Sequence, residues 1–562
     1  MDQLRRSYVH GTATQTLQGM TVGDCLRRLA ETRPDGLALV DRGRDARLDW
    51  RGLDARVDRL GAGLLELGFV PGDRIAVCTG NRIEWTLVQL ATARLGMILV
   101  SLNPALRPAE LERALALVGA RALVVEQRIR ETDYPPLLAE LLPELATSGE
   151  APLAARALPA LERVIRLDDE AWPGTVAFST LLVEPAPETL ERVHALAAAV
   201  DPDDPVNIQF SNATGGPPAG ATLTHHNIVN NGLMVGRQLG LGAADRVCIP
   251  VPLYHCFGMV MGNMACLLHG SAMVYPGPGF DPLATLEAVA AESCTALYGV
   301  PAMFKAMLDH PRAETFDPGR LRTGIMAGAP CPPETMDRVR RRLGMAEVTI
   351  AYGMTESSPV SFMSAPDDPV ERRLQTVGRI GPHLEAKVID DAGRIRPVGE
   401  PGELCVRGYS LMRGYWDDPE LTARVIDEAG WLHTGDLAVL DAEGYCRIVG
   451  GVKDTIIRGG ENIHPEEVER FLETHPAVRA AVVVGVPDAR LGEVVCACVE
   501  LQPGASLEPE ALREYCKDQI AYFKVPRYVR LYPRLPRSTG RALKTMLREQ
   551  SIAALGRAEE TG

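Results

Sequence analysis

Four short segments of the chain carry residue types that could bind a nucleotide. Residues 210–220 form a loop of small residues, FSNATGGPPAG, after a strand-like run. Such a loop offers backbone N–H groups to an anion, although it lacks the Gly-Lys-Ser/Thr ending of a Walker A loop. The other segments are AYGMTES at 351–357, WLHTGDL at 431–437 and IVGGVKDTIIRGGENI at 448–463.

The chemistry of each segment follows from its side chains. Tyr352 could stack on a base, Thr355 could bind a phosphate oxygen, and Glu356 could hold Mg²⁺. Asp436 could accept hydrogen bonds from two ribose hydroxyls. Taken singly, each residue is more often a structural hydrogen-bonding group, so the prediction depends on their joint occurrence.

The elements that must position these residues follow an alternating pattern. Residues 51–67 and 84–96 have helical periodicity, and the apolar runs at 73–78 and 98–102 read as strands, which predicts a mostly parallel sheet covered by helices. After residue 376 the pattern changes to short strands with hairpin turns. A break near 450–453 predicts two domains, 1–452 and 453–562.

Composition excludes several classes of protein. The 562 residues carry a net charge of −14, which disfavours binding to nucleic acid or to an anionic membrane. The most apolar stretch, 251–275, is interrupted by His255, Asn263 and His269 and reads as buried structure rather than a membrane span. The N-terminus has no secretory signal pattern, and the twelve cysteines lack zinc-ligand spacing. We therefore expect a cytoplasmic protein with reduced thiols.

Together and in this order, the four segments resemble the adenylate-forming superfamily of acyl-CoA synthetases, luciferases and non-ribosomal adenylation domains. The resemblance spans residues 48–549, and PLYHCFG at 252–258 with LRTGIMAGA at 321–329 is most similar to medium-chain acyl-CoA synthetases. It implies an α/β fold. A large N-terminal domain of mostly parallel sheets with a distorted β-barrel is expected, followed by a small α+β C-terminal domain on a hinge.

The resemblance also implies a reaction in two halves. In the superfamily a carboxylate reacts with Mg·ATP to give acyl-AMP and pyrophosphate, and the thiol of coenzyme A then displaces AMP after the C-terminal domain rotates. Tyr352 would stack on adenine, Thr355 would contact the α-phosphate, and Glu356 would bind Mg²⁺. The other implied positions are Gly328, Ala329 and Gly353 beside adenine, Asp436 on the ribose, His255 between acyl pocket and thiol tunnel, Lys453 at the hinge, and Gly459 and Gly460 in the pantetheine tunnel. The alternative for His255 is a packed core histidine.

Three positions depart from the superfamily pattern, and each loses or changes a cation that faces ATP. The lysine of the phosphate loop is Ala219, the arginine of the hinge motif is Gly451, and the lysine near the C-terminus is Arg541. A missing phosphate cation should cost a charge-assisted bond of about 1.5–3 kcal/mol. The chain has only six lysines, which could explain Arg541 but not Ala219 or Gly451.

These departures lead to a specific hypothesis. The protein transfers an acyl group from a preformed, carboxylic acid-derived acyl-adenylate to coenzyme A, while its own adenylation is impaired or lost. ATP use is therefore doubtful, and a separate adenylating enzyme is expected, as for the thioesterification-only ligase of the platensimycin and platencin pathways of secondary metabolism. Two alternatives stay open: a complete ATP-dependent acyl-CoA synthetase, and a non-catalytic pseudoenzyme that binds acyl-AMP or acyl-CoA.

Overall fold

The computed structural model describes residues 4–129, 132–149, 151–211, 218–451, 455–535 and 540–560. The chain divides into two compact units. The larger comprises residues 1–104, 111–210 and 220–449, and the smaller comprises 105–110, 211–219 and 450–562.

The first sheet of the larger unit contains eight strands among the described residues. Neighbouring strands from Thr175–Ala177 to Pro205–Ser211 are parallel, and the last pair is antiparallel. In spatial order the strands are Thr175–Ala177, Arg163–Arg166, Ala122–Val125, Arg74–Cys78, Ile98–Ser101, Pro205–Ser211, Ala219–Thr224 and Gly414–Tyr415. The helix predicted at 51–67 is confirmed as Trp50–Glu66, where Asp49 caps the first turn by accepting from the N–H of Gly52.

The second sheet has nine strands within the described ranges and carries most of the candidate site. It is parallel from Glu347–Gly353 to Leu37–Asp41 and antiparallel at both ends. In spatial order the strands are Arg379–Ile380, Val360–Met363, Glu347–Gly353, Thr323–Ala327, Ala296–Gly299, Arg246–Cys248, Ala272–Tyr275, Leu37–Asp41 and Ala46–Asp49. Because parallel strands end at one edge, the loops after 327 and 353 lie side by side.

Helices accompany these two sheets, as the alternating sequence pattern predicts. The helix predicted at 84–96 is Ile83–Arg94, and the apolar stretch 251–275 contains a π-helical turn and a strand rather than one long helix. The helices, besides those already given, are Val22–Thr32, Pro108–Val118, Tyr134–Leu141, Leu145–Ser148, Pro187–Ala197, His225–Gln238, Phe257–Met264 (π), Ala265–His269, Pro282–Ala291, Pro301–Asp309, Pro333–Arg342, Val370–Gln375 and Pro419–Val425. In the described part of the chain, no helix has the length and apolar character needed to cross a bilayer.

A third sheet of the larger unit is antiparallel, with five strands among the residues described. In spatial order these are Tyr8–His10, Leu384–Ile389, Gly402–Gly408, Leu432–Leu440 and Cys446–Gly451. The pairing of Gly402–Gly408 with Leu432–Leu440 shifts register between Glu403 and Cys405, so that two residues of the first strand are spanned by four of the second. Four of its five strands lie after residue 376, where the sequence predicts short strands with hairpin turns.

The smaller unit is an α+β structure with its own core. Strands Val478–Asp488 and Gly492–Leu501 form a long antiparallel pair, to which Tyr528–Tyr532 adds in parallel. The pair Ile456–Arg458 and Glu461–Ile463 joins the start of strand Gly492–Leu501, where Arg458 pairs with Gly492. Helices Pro465–Leu472, Pro509–Cys516 and Gly540–Glu560 complete the unit. Buried Val483, Val495 and Leu512 belong to its apolar core, so this unit has the hydrophobic interior expected of a domain.

Candidate functional site

Tyr352 and Asp436 are 84 residues apart in the chain and meet in the structure. Tyr352 is the penultimate residue of strand Glu347–Gly353, and Asp436 lies in strand Leu432–Leu440 of the antiparallel sheet. The Tyr352 hydroxyl donates to Asp436 Oδ2 at 2.6 Å. Burial and the neighbouring carboxylate raise the pKa of Tyr352 well above its usual value, so the phenol remains a donor.

The backbone around Asp436 explains its position. Gly435 has φ of 72°, a left-handed conformation that favours glycine. Thr434 Oγ1 donates to the carbonyl oxygen of Leu404 at 2.7 Å and accepts from the N–H of Asp436 at 3.1 Å. Thr434 and Gly435 of the WLHTGDL segment therefore set the backbone conformation at Asp436, and Thr434 holds the backbone N–H of this aspartate.

The turn after Tyr352 presents Thr355 and Glu356. It is a short 3₁₀ turn, Thr355–Ser357, closed by a hydrogen bond from the N–H of Met354 to Ser357 Oγ at 3.2 Å. Glu356 is buried, and its Oε1 accepts from the Tyr415 hydroxyl at 2.7 Å. Burial and the Glu356 charge raise the pKa of Tyr415, which keeps this phenol protonated as well.

Tyr415 was missed by the sequence analysis. It belongs to the short strand Gly414–Tyr415, which pairs with Ala219–Thr224. In the chain, Tyr415 lies 59 residues from Glu356, to which its hydroxyl donates. No spacing in the sequence links the two residues. Mg²⁺ prefers oxygen ligands, and one carboxylate is a suitable protein ligand when substrate phosphates supply further oxygen ligands. Glu356 thus fits the role in metal binding that the resemblance implies.

The residues predicted to lie beside adenine, Gly328, Ala329 and Gly353, are at the same edge of the nine-stranded sheet as Tyr352. Gly328 follows strand Thr323–Ala327, whose Ala327 pairs in parallel with Ala351, so Gly328 and Ala329 lie beside Tyr352. Gly328 has φ of 81° and is exposed. A Cβ at Gly353 would lie 1.8 Å from the carbonyl oxygen of Pro359, so only glycine fits there.

His255 stands at the start of the π-helical turn Phe257–Met264. Its ring is half-buried and lies 4.7 Å from the Tyr254 ring, centroid to centroid. The following residue, Cys256, donates from Sγ to Gln209 Oε1 at 2.9 Å. A π-helical turn is rare and is found mostly at functional sites, which is in keeping with the expected acyl pocket.

The structure describes some of the positions that depart from the superfamily pattern. Ala219 begins strand Ala219–Thr224 and its side chain is buried, with 7% of the residue exposed. Gly451 ends strand Cys446–Gly451, and Arg541 is the second residue of helix Gly540–Glu560, with a side chain outside the described part. Residues 212–217 of the phosphate loop and Lys453 lie outside the described residues.

Gly459 and Gly460 form a tight turn in the smaller unit. They connect strands Ile456–Arg458 and Glu461–Ile463 and have φ of 61° and 94°. Consecutive left-handed residues of this kind are accessible to glycine at little cost. The turn therefore carries no side chains, and its place in a pantetheine tunnel stays a prediction.

Two family models together match most of the chain. The model described as AMP-binding enzyme matches residues 26–416, and the AMP-binding enzyme C-terminal domain matches residues 467–541. The first alone spans well over half of the sequence, so the family is established.

Curated relatives extend over nearly the whole length. The medium-chain acyl-CoA ligase ACSF2 of Danio rerio, a mitochondrial protein by its name, is 43% identical over 557 residues, covering 98% of this chain and 92% of that protein. The putative acyl-CoA synthetase YngI of Bacillus subtilis is 41% identical over 535 residues, covering 95% and 97%.

Solved structures agree in fold. The amide bond synthetase McbA of Marinactinospora thermotolerans superposes with a TM-score of 0.79 at 28% identity, covering 94% of this chain and 99% of that one. The o-succinylbenzoate CoA synthetase MenE of Bacillus subtilis gives 0.76 at 25% identity, covering 93% and 97%. The family models and the full-length relatives lead to one conclusion: the chain belongs to the AMP-binding, adenylate-forming family and is an acyl-CoA ligase of that family.

Proposed function

We propose that this ligase transfers the acyl group of a preformed acyl-adenylate to coenzyme A and adenylates carboxylates weakly or not at all. One observation carries the proposal. Ala219 places a buried methyl group at the start of its strand, where the superfamily has a lysine for the β- and γ-phosphates. A methyl group supplies neither charge nor a hydrogen bond, so the pyrophosphate leaving group would be left without this cation.

The remaining half-reaction needs fewer cations. The sulfur of coenzyme A attacks the acyl carbonyl carbon, the C–S bond forms, and the C–O bond to AMP breaks. The thiol proton passes to solvent or buffer, and AMP leaves with the electron pair of the broken bond. Since AMP is already a good leaving group, positioning supplies most of the rate.

The described residues would divide this task. Tyr352 and Asp436 would hold the nucleoside, and Thr355 would donate to the α-phosphate. Glu356 would bind Mg²⁺ if the reaction retains it. His255 and the Gly459–Gly460 turn would guide the pantetheine thiol, with Lys453 at a hinge between domains 1–452 and 453–562.

The proposal implies a place for the enzyme among other reactions. An adenylating enzyme must supply the acyl-AMP, as in the platensimycin and platencin pathways of secondary metabolism. The small, apolar residues at 255–262 and 324–330 favour a bulky hydrophobic acid as the acyl group. All twelve cysteines lie in the described part and are free thiols, which supports a reducing compartment, for which we propose the cytoplasm.

A complete ATP-dependent synthetase is the second candidate. It is favoured by the retained Thr355–Glu356 turn and by 43% identity to a protein named as a medium-chain acyl-CoA ligase. In this case Arg541 or Lys544 would take over the role of the missing lysine. If Arg541 does so, a planar guanidinium would stand in place of an ammonium group.

Two reaction mixtures distinguish the candidates. One contains octanoyl-AMP or adamantoyl-AMP with coenzyme A; the other contains the corresponding free acid with ATP, Mg²⁺ and coenzyme A. Thioester formation, followed by mass spectrometry, is expected from the first mixture only. Comparable rates from both would establish the complete synthetase, and no thioester from either would favour a non-catalytic binding protein. Asp436→Ala serves as the control that should slow the first reaction.

A further inference from the structure

A second cluster of chemically active side chains lies on the five-stranded antiparallel sheet of the larger unit. Cys405 in strand Gly402–Gly408 is the direct cross-strand partner of His433 in strand Leu432–Leu440. Glu403 lies two residues before Cys405 in the same strand, and its carboxylate contacts the His433 ring. Their three donor atoms, Glu403 Oε2, Cys405 Sγ and His433 Nδ1, all lie within 4.8 Å of one another.

The distances between these donor atoms suit a metal ion with tetrahedral coordination. Cys405 Sγ lies 3.7 Å from His433 Nδ1, and His433 Nδ1 lies 3.0 Å from Glu403 Oε2. With metal–ligand bonds of about 2.0–2.3 Å, tetrahedral geometry places neighbouring ligand atoms roughly 3.3–3.6 Å apart. Small side-chain rotations would therefore bring the three atoms into place without a change in the backbone.

The other ring nitrogen of His433 has its own acidic neighbour. His433 Nε2 lies 3.6 Å from Asp427 Oδ2. A histidine that ligates through one nitrogen is commonly oriented by a carboxylate at the other, which fixes the tautomer and increases the basicity of the ligand. The arrangement of Glu403, His433 and Asp427 thus provides an orienting carboxylate as well as ligands.

The surrounding charges are compatible with a divalent ion. Lys387 is the nearest cation in register, but its Nζ lies over the Trp431 ring at 4.3 Å, and Arg407 is paired with Glu385. Cys405 is fully buried, and because a metal binds the thiolate, its thiol proton is released when the ion binds.

We propose that Glu403 Oε2, Cys405 Sγ and His433 Nδ1 bind one Zn²⁺, with a water molecule in the fourth position and Asp427 orienting His433. Cysteine sulfur, imidazole nitrogen and one carboxylate form a ligand set that suits zinc better than Mg²⁺ or Ca²⁺. On binding, the Cys405 S–H bond breaks, the S–Zn bond forms, and the proton goes to the buffer. Strand Leu432–Leu440 also carries Asp436, so the ion would stiffen the strand that bears the proposed ribose ligand.

The test uses the purified full-length protein, stripped of metal and titrated with Co²⁺ as a spectroscopic probe for zinc. We expect one equivalent to give a near-ultraviolet thiolate-to-cobalt charge-transfer band and visible bands of tetrahedral intensity, both removed by one equivalent of Zn²⁺. The Zn²⁺ dissociation constant should be below about 10 μM. A wild-type protein without the charge-transfer band would overturn the proposal, whatever the variants do.

Variants assign the ligands. Cys405→Ser should abolish the charge-transfer band, while the matched Cys331→Ala, which removes a half-buried thiol elsewhere, should leave it intact. Asp427→Asn should keep the stoichiometry and weaken Zn²⁺ binding by about 10- to 100-fold. A band that persists in Cys405→Ser, or an Asp427→Asn protein with unchanged affinity, would contradict the assignment. Circular dichroism verifies that each variant is folded.

Discussion

The hydroxyl of Tyr352 and the carboxylate of Asp436, contributed by two different sheets, are joined by a hydrogen bond of 2.6 Å. The residue expected to stack on adenine therefore already orients the residue expected to hold the ribose. A carboxylate has about four lone-pair sites, so Asp436 can keep the phenol and still accept from two ribose hydroxyls.

This relationship predicts graded losses of nucleotide affinity. Asp436→Ala removes the charged acceptor of the ribose hydroxyls and should weaken AMP binding at least about tenfold, while Tyr352→Phe keeps the ring and should weaken it only about fivefold. Isothermal titration calorimetry with AMP measures both. Unchanged affinity in Asp436→Ala would remove this residue from the proposed site.

Restoring the two missing lysines should restore use of ATP. In the double variant Ala219→Lys with Arg541→Lys, each recovered charge-assisted bond is worth about 1.5–3 kcal/mol. Carboxylate-dependent ATP–pyrophosphate exchange should therefore rise at least about tenfold.

The control for this gain is Ala423→Lys, which adds a lysine at an exposed helix position. It should leave exchange and thioester formation as in the wild type. If the double variant still forms thioester from acyl-AMP but gains no exchange, the absent cations are not what limits adenylation.

The Tyr415–Glu356 contact predicts a cost in stability. Tyr415→Phe leaves the buried Glu356 carboxylate without its 2.7 Å donor, which should lower the free energy of unfolding by about 1–3 kcal/mol. Urea denaturation provides the measurement. Tyr8→Phe is a matched comparison, because Tyr8 donates to Glu385 at an exposed position, and it should cost less than about 1 kcal/mol. Equal costs for the two variants would argue against a buried, structurally important bond at Glu356.

Buried His225 predicts a dependence of stability on pH. Its Nδ1 accepts from the N–H of Val22 at 3.1 Å, and burial lowers the pKa of the ring from 6.5 to about 4. The unfolded chain therefore binds the proton first. The stabilisation is complete above pH 6.5 and is lost as the pH falls towards 4, in total about 3 kcal/mol.

His225→Asn tests this contribution, since its Oδ1 can accept from Val22 but does not titrate. Between pH 6.5 and 4 the unfolding free energy of the variant should fall less steeply than that of the wild type, as followed by urea midpoints. Parallel curves for the two proteins would show that His225 is not the group responsible.

Local patterns predicted much of the fold, because hydrophobic periodicity acts within one element. The predicted helix at 51–67 and strand at 98–102 appear as Trp50–Glu66 and Ile98–Ser101. Strand Tyr8–His10 has no such pattern, and its existence depends on pairing with Leu384–Ile389 nearly four hundred residues later.

The same distinction applies to the sites. Tyr352 and Glu356 were predicted as site residues because a continuous motif carries them. The Tyr415 partner and the group Glu403, Cys405 and His433 were not, because contacts between segments far apart in the chain bring them together. The spacing of cysteines and histidines along the chain had indicated no zinc site, because ligands from neighbouring strands share no fixed interval.

The strand Tyr8–His10 has a practical consequence for anyone who shortens or tags the protein. It supplies the outer edge of the five-stranded antiparallel sheet of the larger unit, with Val9 opposite Ala386. A truncation beyond His10 would leave the N–H and C=O groups of Leu384–Ile389 open as a template for other chains. Self-association on size-exclusion chromatography is the expected result of such trimming, so expression tags belong ahead of an intact N-terminal segment.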